Sequence, residues 1–224
     1  MAELTLNTKQ WNHQAGRLLM GSKKQAKVFM EQRAAVFMRT AVAVTPPGDE
    51  KVQGAAAKKR GVEAIEGDLA RLFIPWKKSG SKKVDLEGVG QLADHHRHSR
   101  RKSDGRVRKN PAVKNVWLAD FNAHRKAAVK KVGSLAGGFN RAAAHFGVKP
   151  PAWIWRQSTG GAVEVRVSDR GIRVRITNMK RFAAETRNLE SRLQRALNSH
   201  AQAMRRQADD FYKKVGRRSG WRVR

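Results

Sequence analysis

Asp94, His95, His96 and His98 bring imidazole and carboxylate groups together at near-adjacent positions, and those are ligands for zinc or nickel. They stand in a Gly/Ser/Arg-rich stretch with Arg97, Arg100 and Arg101 beside them. That density of positive charge disfavours a further cation, so no metal is expected. Glu63, Glu66 and Asp68 are close enough to share part of a helix surface, the kind of placement a magnesium-dependent nuclease needs. Lys58, Lys59, Arg60 and Arg71 flank them, and intrahelical charge pairs are the simpler reading. His13, His124, His145 and His200 sit singly on predicted helices. No Ser, His and Asp arrangement stands out, and no Gly-rich loop ends in Gly-Lys-Ser/Thr. The absence of Cys removes disulfides, thiolate catalysis and Cys-ligated zinc together. The chain reads as a non-enzyme with no catalytic residues and no cofactor.

What remains is charge. The 224 residues carry 48 Lys plus Arg against 18 Asp plus Glu, a formal net charge of +30. Such a surface repels itself unless phosphates, counterions or acidic proteins compensate it. Between residues 77 and 110 the chain is rich in Gly, Ser, Lys and Arg and poor in large apolar residues, which predicts a mobile basic loop or insertion. Lys77, Lys78, Lys82, Lys83, Arg97, Arg100, Arg101, Lys102, Arg106, Arg108 and Lys109 there, with Arg217, Arg218, Arg222 and Arg224 in the tail, are the candidate contacts to nucleic acid or an acidic partner. Each phosphate contact would add a salt-dependent increment through counterion release. No zinc-finger spacing, aromatic ribonucleoprotein motif or helix-turn-helix accompanies the charge, so any contact with double-stranded DNA would lack sequence specificity.

These side chains hang on elements of two periods. Apolar residues recur at helical spacing over residues 8–44, with a possible bend at Gly21, until Thr45-Pro46-Pro47-Gly48 stops the helix. A second helix is predicted over 53–73, closed by Ile74-Pro75-Trp76. Pro111 is expected to open a third that runs to Gly133, and a fourth follows from Ser134 to Gly147. The period then becomes two: Val163, Val165 and Val167, a turn at Asp169-Arg170-Gly171, then Ile172, Val174 and Ile176, a β-hairpin with one apolar and one charged face. A long helix rich in Ala and Arg follows Asn178 to about residue 215. A 40% hydrophobic fraction is enough for a real core. No apolar run reaches the length of a membrane span and the N-terminus lacks a secretory pattern, so a soluble protein made in a cytosol is expected.

A lone hairpin is marginal, so this one must lie on a helix or pair with other strands. Trp153 and Trp155, just before it, suit interface anchors. With Val163, Val165, Ile172, Val174 and Ile176 they form the predicted subunit interface.

The order of long helix, Thr-Pro-Pro-Gly turn, second helix, hairpin ending in Ile176-Thr177-Asn178 and long C-terminal helix resembles the tail-completion and head-tail joining proteins of tailed bacteriophages, the neck family. The matching positions are 43–48, 171–178 and 188–215, the two ends and about half the chain. Residues 77–147 depart from the compact family pattern, and Met179-Lys180-Arg181-Phe182 replaces the Tyr or aliphatic residues common after the Thr-Asn pair. The resemblance implies a structural virion protein without catalysis, made in the host cytoplasm. It would form a hexameric or dodecameric ring between the DNA-filled head and the tail, against portal, adaptor or tail-tube proteins.

The expected fold is α+β: long terminal helices packed on a small antiparallel sheet, the hairpin 162–178. Residues 1–76 and 148–215 would form a discontinuous core domain, 77–147 a basic loop plus helical insertion, and 216–224 a basic tail. The competing reading is a nucleoid- or ribosome-associated protein that binds nucleic acid non-specifically.

Overall fold

The structure, a computed structural model, describes residues 23–77, 83–99, 108–157, 160–168, 171–178, 180, 183, 186 and 188–218. The fold is mixed helix and sheet, an α+β protein. It comprises two compact units, one formed by residues 1–54 and 134–224, the other by 55–133.

In the first unit, α1 (Lys23–Val44) buries Met30, Ala34, Phe37, Met38, Ala41 and Val42, a stripe recurring every three or four residues. The part of the predicted helix before residue 23 lies outside the described residues, as does Gly21. Among the described residues, five helices and two strands lie within 53–147. The long C-terminal helix buries Leu189, Leu193, Leu197, Ala201 and Met204, again on one face, and packs along α1.

The second unit contains α2 (Gly54–Leu72), β1 (Phe73–Trp76), α3 (Leu86–Ser99), β2 (Lys114–Trp117) and α4 (Leu118–Lys130). The helix predicted over 53–73 ends at Leu72, and Ile74-Pro75-Trp76 beyond it continues as a strand, paired in parallel with β2 in the register Phe73↔Lys114 to Trp76↔Trp117. Pro75 lacks an N–H to donate, which a two-stranded ladder tolerates because each strand is an edge. Parallel strands need a long crossover, and residues 77–113 supply it. That stretch is not wholly a loop. Asp85 starts α3 by accepting the Glu87 N–H at 3.0 Å on its side chain and the Val89 N–H at 2.9 Å on its carbonyl. Leu92 of α3 then enters a core with Leu69, Leu72, Phe73 and Val116. Pro111 likewise precedes a strand rather than opening a helix; α4 starts at Leu118, directly after β2.

The first unit continues with α5 (Ser134–Gly137), α6 (Asn140–His145), α7 (Ala152–Trp155), β3 (Ala162–Ser168), β4 (Gly171–Thr177) and α8 (Leu189–Arg218). The single helix predicted from Ser134 is thus two short ones broken at Gly138-Phe139. The Asn178 side chain sits at this break: its Nδ2 donates to the Leu135 carbonyl at 2.9 Å and its Oδ1 occupies the place where a Gly138 Cβ would stand. Strands β3 and β4 pair antiparallel from Ala162↔Thr177 to Ser168↔Gly171, as the alternation predicts. Asp169 and Arg170 of the predicted turn lie outside the described residues. The hairpin meets α1 through β4 and α6 through β3.

The unit boundaries correct those expected from sequence. Residues 55–76 belong with the second unit, because β1 pairs with β2 there; residues 134–147 belong with the first, because Leu135, Ala136, Phe139, Ala142 and Ala143 join its core.

Candidate functional site

The three segments singled out by their resemblance to neck proteins meet within the first unit. Thr45 ends α1 by donating its hydroxyl to the Ala41 carbonyl at 2.6 Å, and the Gly48 N–H returns to the Thr45 carbonyl at 3.0 Å. From the first turn of α8, Arg192 Nη1 reaches across 144 residues to donate to the Gly48 carbonyl at 2.9 Å, and also to Val44 at 3.4 Å. Arg195, one turn on, pairs with Glu50 at 3.3 Å. Asn178, fully buried at the end of β4, fastens the hairpin to α5 through Leu135 and accepts the Lys180 N–H at 3.0 Å. The predicted motifs are therefore joints of one packed unit.

This placement changes the predicted subunit interface. Ile172 is 2% exposed inside the unit's own core, and Val163, Val165, Val174 and Ile176 pack against that core half-buried, as does Trp153. The hairpin's apolar face is thus occupied by the chain that carries it, because the hairpin lies on α1 and α6. Of the predicted interface side chains Trp155 alone stays broadly accessible, at 46%. What the hairpin still offers is its outer backbone edges: β3 and β4 form a two-stranded sheet, and no third strand joins them among the described residues.

In the second unit Lys77, Lys83, Arg97, Arg108 and Lys109 are exposed. Arg97 is paired with Asp94 at 3.3 Å on the same helix face. Lys78, Lys82, Arg100, Arg101, Lys102, Arg106, Arg222 and Arg224 lie outside the described residues, and of Arg217 and Arg218 only the helical backbone is described.

The candidate metal and nuclease clusters are spoken for. His98 Nδ1 bonds the Asp94 carbonyl at 2.9 Å, and His95 Nε2 the Ala112 carbonyl at 2.9 Å. His96 turns the other way, toward His124, with 3.3 Å between ring nitrogens. Among the described residues no group of three or more His, Cys, Asp or Glu converges. Glu66 pairs with Arg125 of α4, with Nε at 3.0 Å, and Glu63 with Lys59 at 3.8 Å.

Two histidines are tuned by their surroundings. Burial, reinforced by Lys131, lowers the His124 pKa, and burial, reinforced by Arg33, lowers that of His200, which bonds Thr40 Oγ1 at 2.8 Å. Each is held neutral in the fold, while the unfolded chain takes up protons near 6.5. The stability these groups confer is therefore complete above about pH 6.5 and lost as the pH falls through their lowered folded values. Urea unfolding midpoints should drop between pH 7 and 5, with a shallower slope in His124→Gln and His200→Gln. Equal slopes in all three proteins would refute this.

Trp76 and Trp117, placed by sequence near segment ends as suits interface anchors, are brought together by the last step of the β1–β2 register and stack at 3.8 Å between ring centroids. Beside them a cavity of about 260 Å³ is lined by Asp85, Gly88, Leu92, Lys114 and Asp120 among others. Only the Asp85-Leu-Glu cap was available as a local clue. No family model, curated protein or solved structure matches the chain.

Proposed function

We propose that this chain is a structural virion protein of a tailed phage, of the tail-completion and head-tail joining type, working as a closed ring between head and tail. One observation carries the reading: the segments 43–48, 171–178 and 188–215, far apart in sequence, form one compact unit locked by Arg192 and Asn178. The basic unit of residues 55–133 interrupts that frame as an insertion. The ring contacts are then the unpaired hairpin edges, open to strand addition, and the exposed Trp155. Portal, adaptor or tail-tube proteins would lie above and below.

The basic insertion favours one competing reading. Residues 55–133 hold twenty Lys and Arg against eight Asp and Glu, which suits non-specific nucleic-acid binding by a monomer or dimer.

Light scattering and negative-stain microscopy at moderate salt, with and without short duplex DNA, separate the two. Closed rings or stacked tubes are expected, and Trp155→Glu should lower the mass toward the monomer without unfolding it. A monomer or dimer at every salt, coating DNA with a steep salt dependence, would transfer the assignment to nucleic-acid binding.

A further inference from the structure

The second unit holds a small acidic, aromatic cavity that the ring reading leaves unused. Trp76 and Trp117 stack with a 28° interplanar angle, and Trp76 is 49% exposed. Asp120 lines the same cavity yet is only 4% exposed. Its Oδ1 accepts the Asp85 N–H at 2.8 Å, and among the described residues Oδ2 has neither hydrogen bond nor ion pair. Gly88 leaves room in front of it: a Cβ there would lie 3.0 Å from both Asp120 Oδ2 and Asp85 Oδ2. A nearly buried carboxylate with an unused oxygen, facing a space between a second carboxylate and a tryptophan stack, calls for a cation.

The chemistry narrows the ligand. Among the described residues that line it, two carboxylates stand against one cation, Lys114, and disfavour a phosphate although the unit as a whole is basic. At about 260 Å³ the cavity falls below the range of drug-sized ligands and suits one side chain. A guanidinium fits better than an ammonium, because it is planar, stacks on an indole face and presents paired donors to a carboxylate.

We infer that this cavity receives the guanidinium of an arginine presented by a second copy of this chain. The choice of a second copy rests on the ring reading and on the chain's own surplus of 48 basic against 18 acidic residues, which makes an unpaired carboxylate pocket a natural acceptor for its neighbour.

The test uses N-acetyl-arginine methylamide as probe on the full chain, read by the Trp76 indole NMR signal, assigned through Trp76→Phe. N-acetyl-norleucine methylamide and an equal concentration of sodium chloride are the controls. Saturable shifts with the arginine probe alone are expected. Asp120→Asn, which keeps an oxygen for the Asp85 N–H, should weaken the probe about tenfold, the effect of one charge-assisted contact. Gly88→Ala, which fills the gap while favouring the helix, should do the same. The concentration needed for ring formation should rise by a similar factor in both variants. Failure of the wild-type chain to bind the probe would overturn the site whether or not rings form. Probe binding that is lost in Asp120→Asn while rings form unchanged would overturn the second copy as the source. Probe binding without rings in any protein would sink the ring reading and leave the cavity's preference for a guanidinium standing.

Discussion

Gly138→Ala should lower the thermal unfolding midpoint by about 6–12 °C, for a loss of about 3 kcal/mol. The added Cβ would stand 1.9 Å from Asn178 Oδ1 and 2.8 Å from its Nδ2, and Asn178 is 1% exposed. If the side chain moves, the Leu135 carbonyl keeps only the Gly138 N–H at 3.1 Å, while the Asn178 amide and the Lys180 N–H give up their mutual contacts, and a buried polar group left unpaired costs about 1–3 kcal/mol. Gly161 presses on the same place at φ +105°, where its own Cβ would lie 2.4 Å from the Gly138 carbonyl oxygen. A cycle with Asn178→Ala distinguishes this from a loss of backbone freedom. The double variant should be much less destabilised than the sum of the singles, because removing the amide removes the clash. Additive losses would mean that Gly138 matters for some other reason.

The hairpin was legible because its signal is local: Val163, Val165, Ile172, Val174 and Ile176 alternate with charged residues, and the pleat turns alternation into two faces. The same logic could not tell whether the apolar face meets a neighbour or the chain's own α1, since both present apolar surface. Placing these side chains at a subunit contact therefore failed where Ile172 proved to be core. The β1–β2 pair was invisible for a different reason. Each strand has four residues, one contains Pro75, and they pair across residues 77–113, so no window of the sequence contains the pattern. Helix α3 was masked by composition, its apolar contribution to the core being the single buried Leu92 amid His, Asp and Gly. Asp120 could not be distinguished from any other acid in a helix's first turn until α3 delivered the Asp85 N–H to it.

The turn that ends α1 illustrates how a short motif acquires meaning only through a distant partner, and it carries the second large effect. Gly48→Ala should destabilise the chain by about 3 kcal/mol, since the Cβ would sit 2.1 Å from the Ala43 carbonyl oxygen, a backbone atom of the helix that cannot swing aside. Relief would require the turn to open, and opening it pulls the Gly48 carbonyl from Arg192, 2.9 Å away on α8. Arg192→Ala approaches the same joint from the other side and should cost about 2 kcal/mol, the range of a hydrogen bond to a charged donor. Because the two substitutions loosen one contact between the helix ends, their losses should fall short of additive when combined. If the turn serves only local folding, both variants should assemble normally once folded at low temperature. If, as the ring reading requires, α1, α8 and the hairpin must hold one fixed arrangement for a neighbour to dock, both should form rings only at raised protein concentration, and Arg192→Lys should not restore them. Lysine keeps the charge, but its Nζ ends one bond short of the Arg192 Nη1 that reaches both the Val44 and the Gly48 carbonyls.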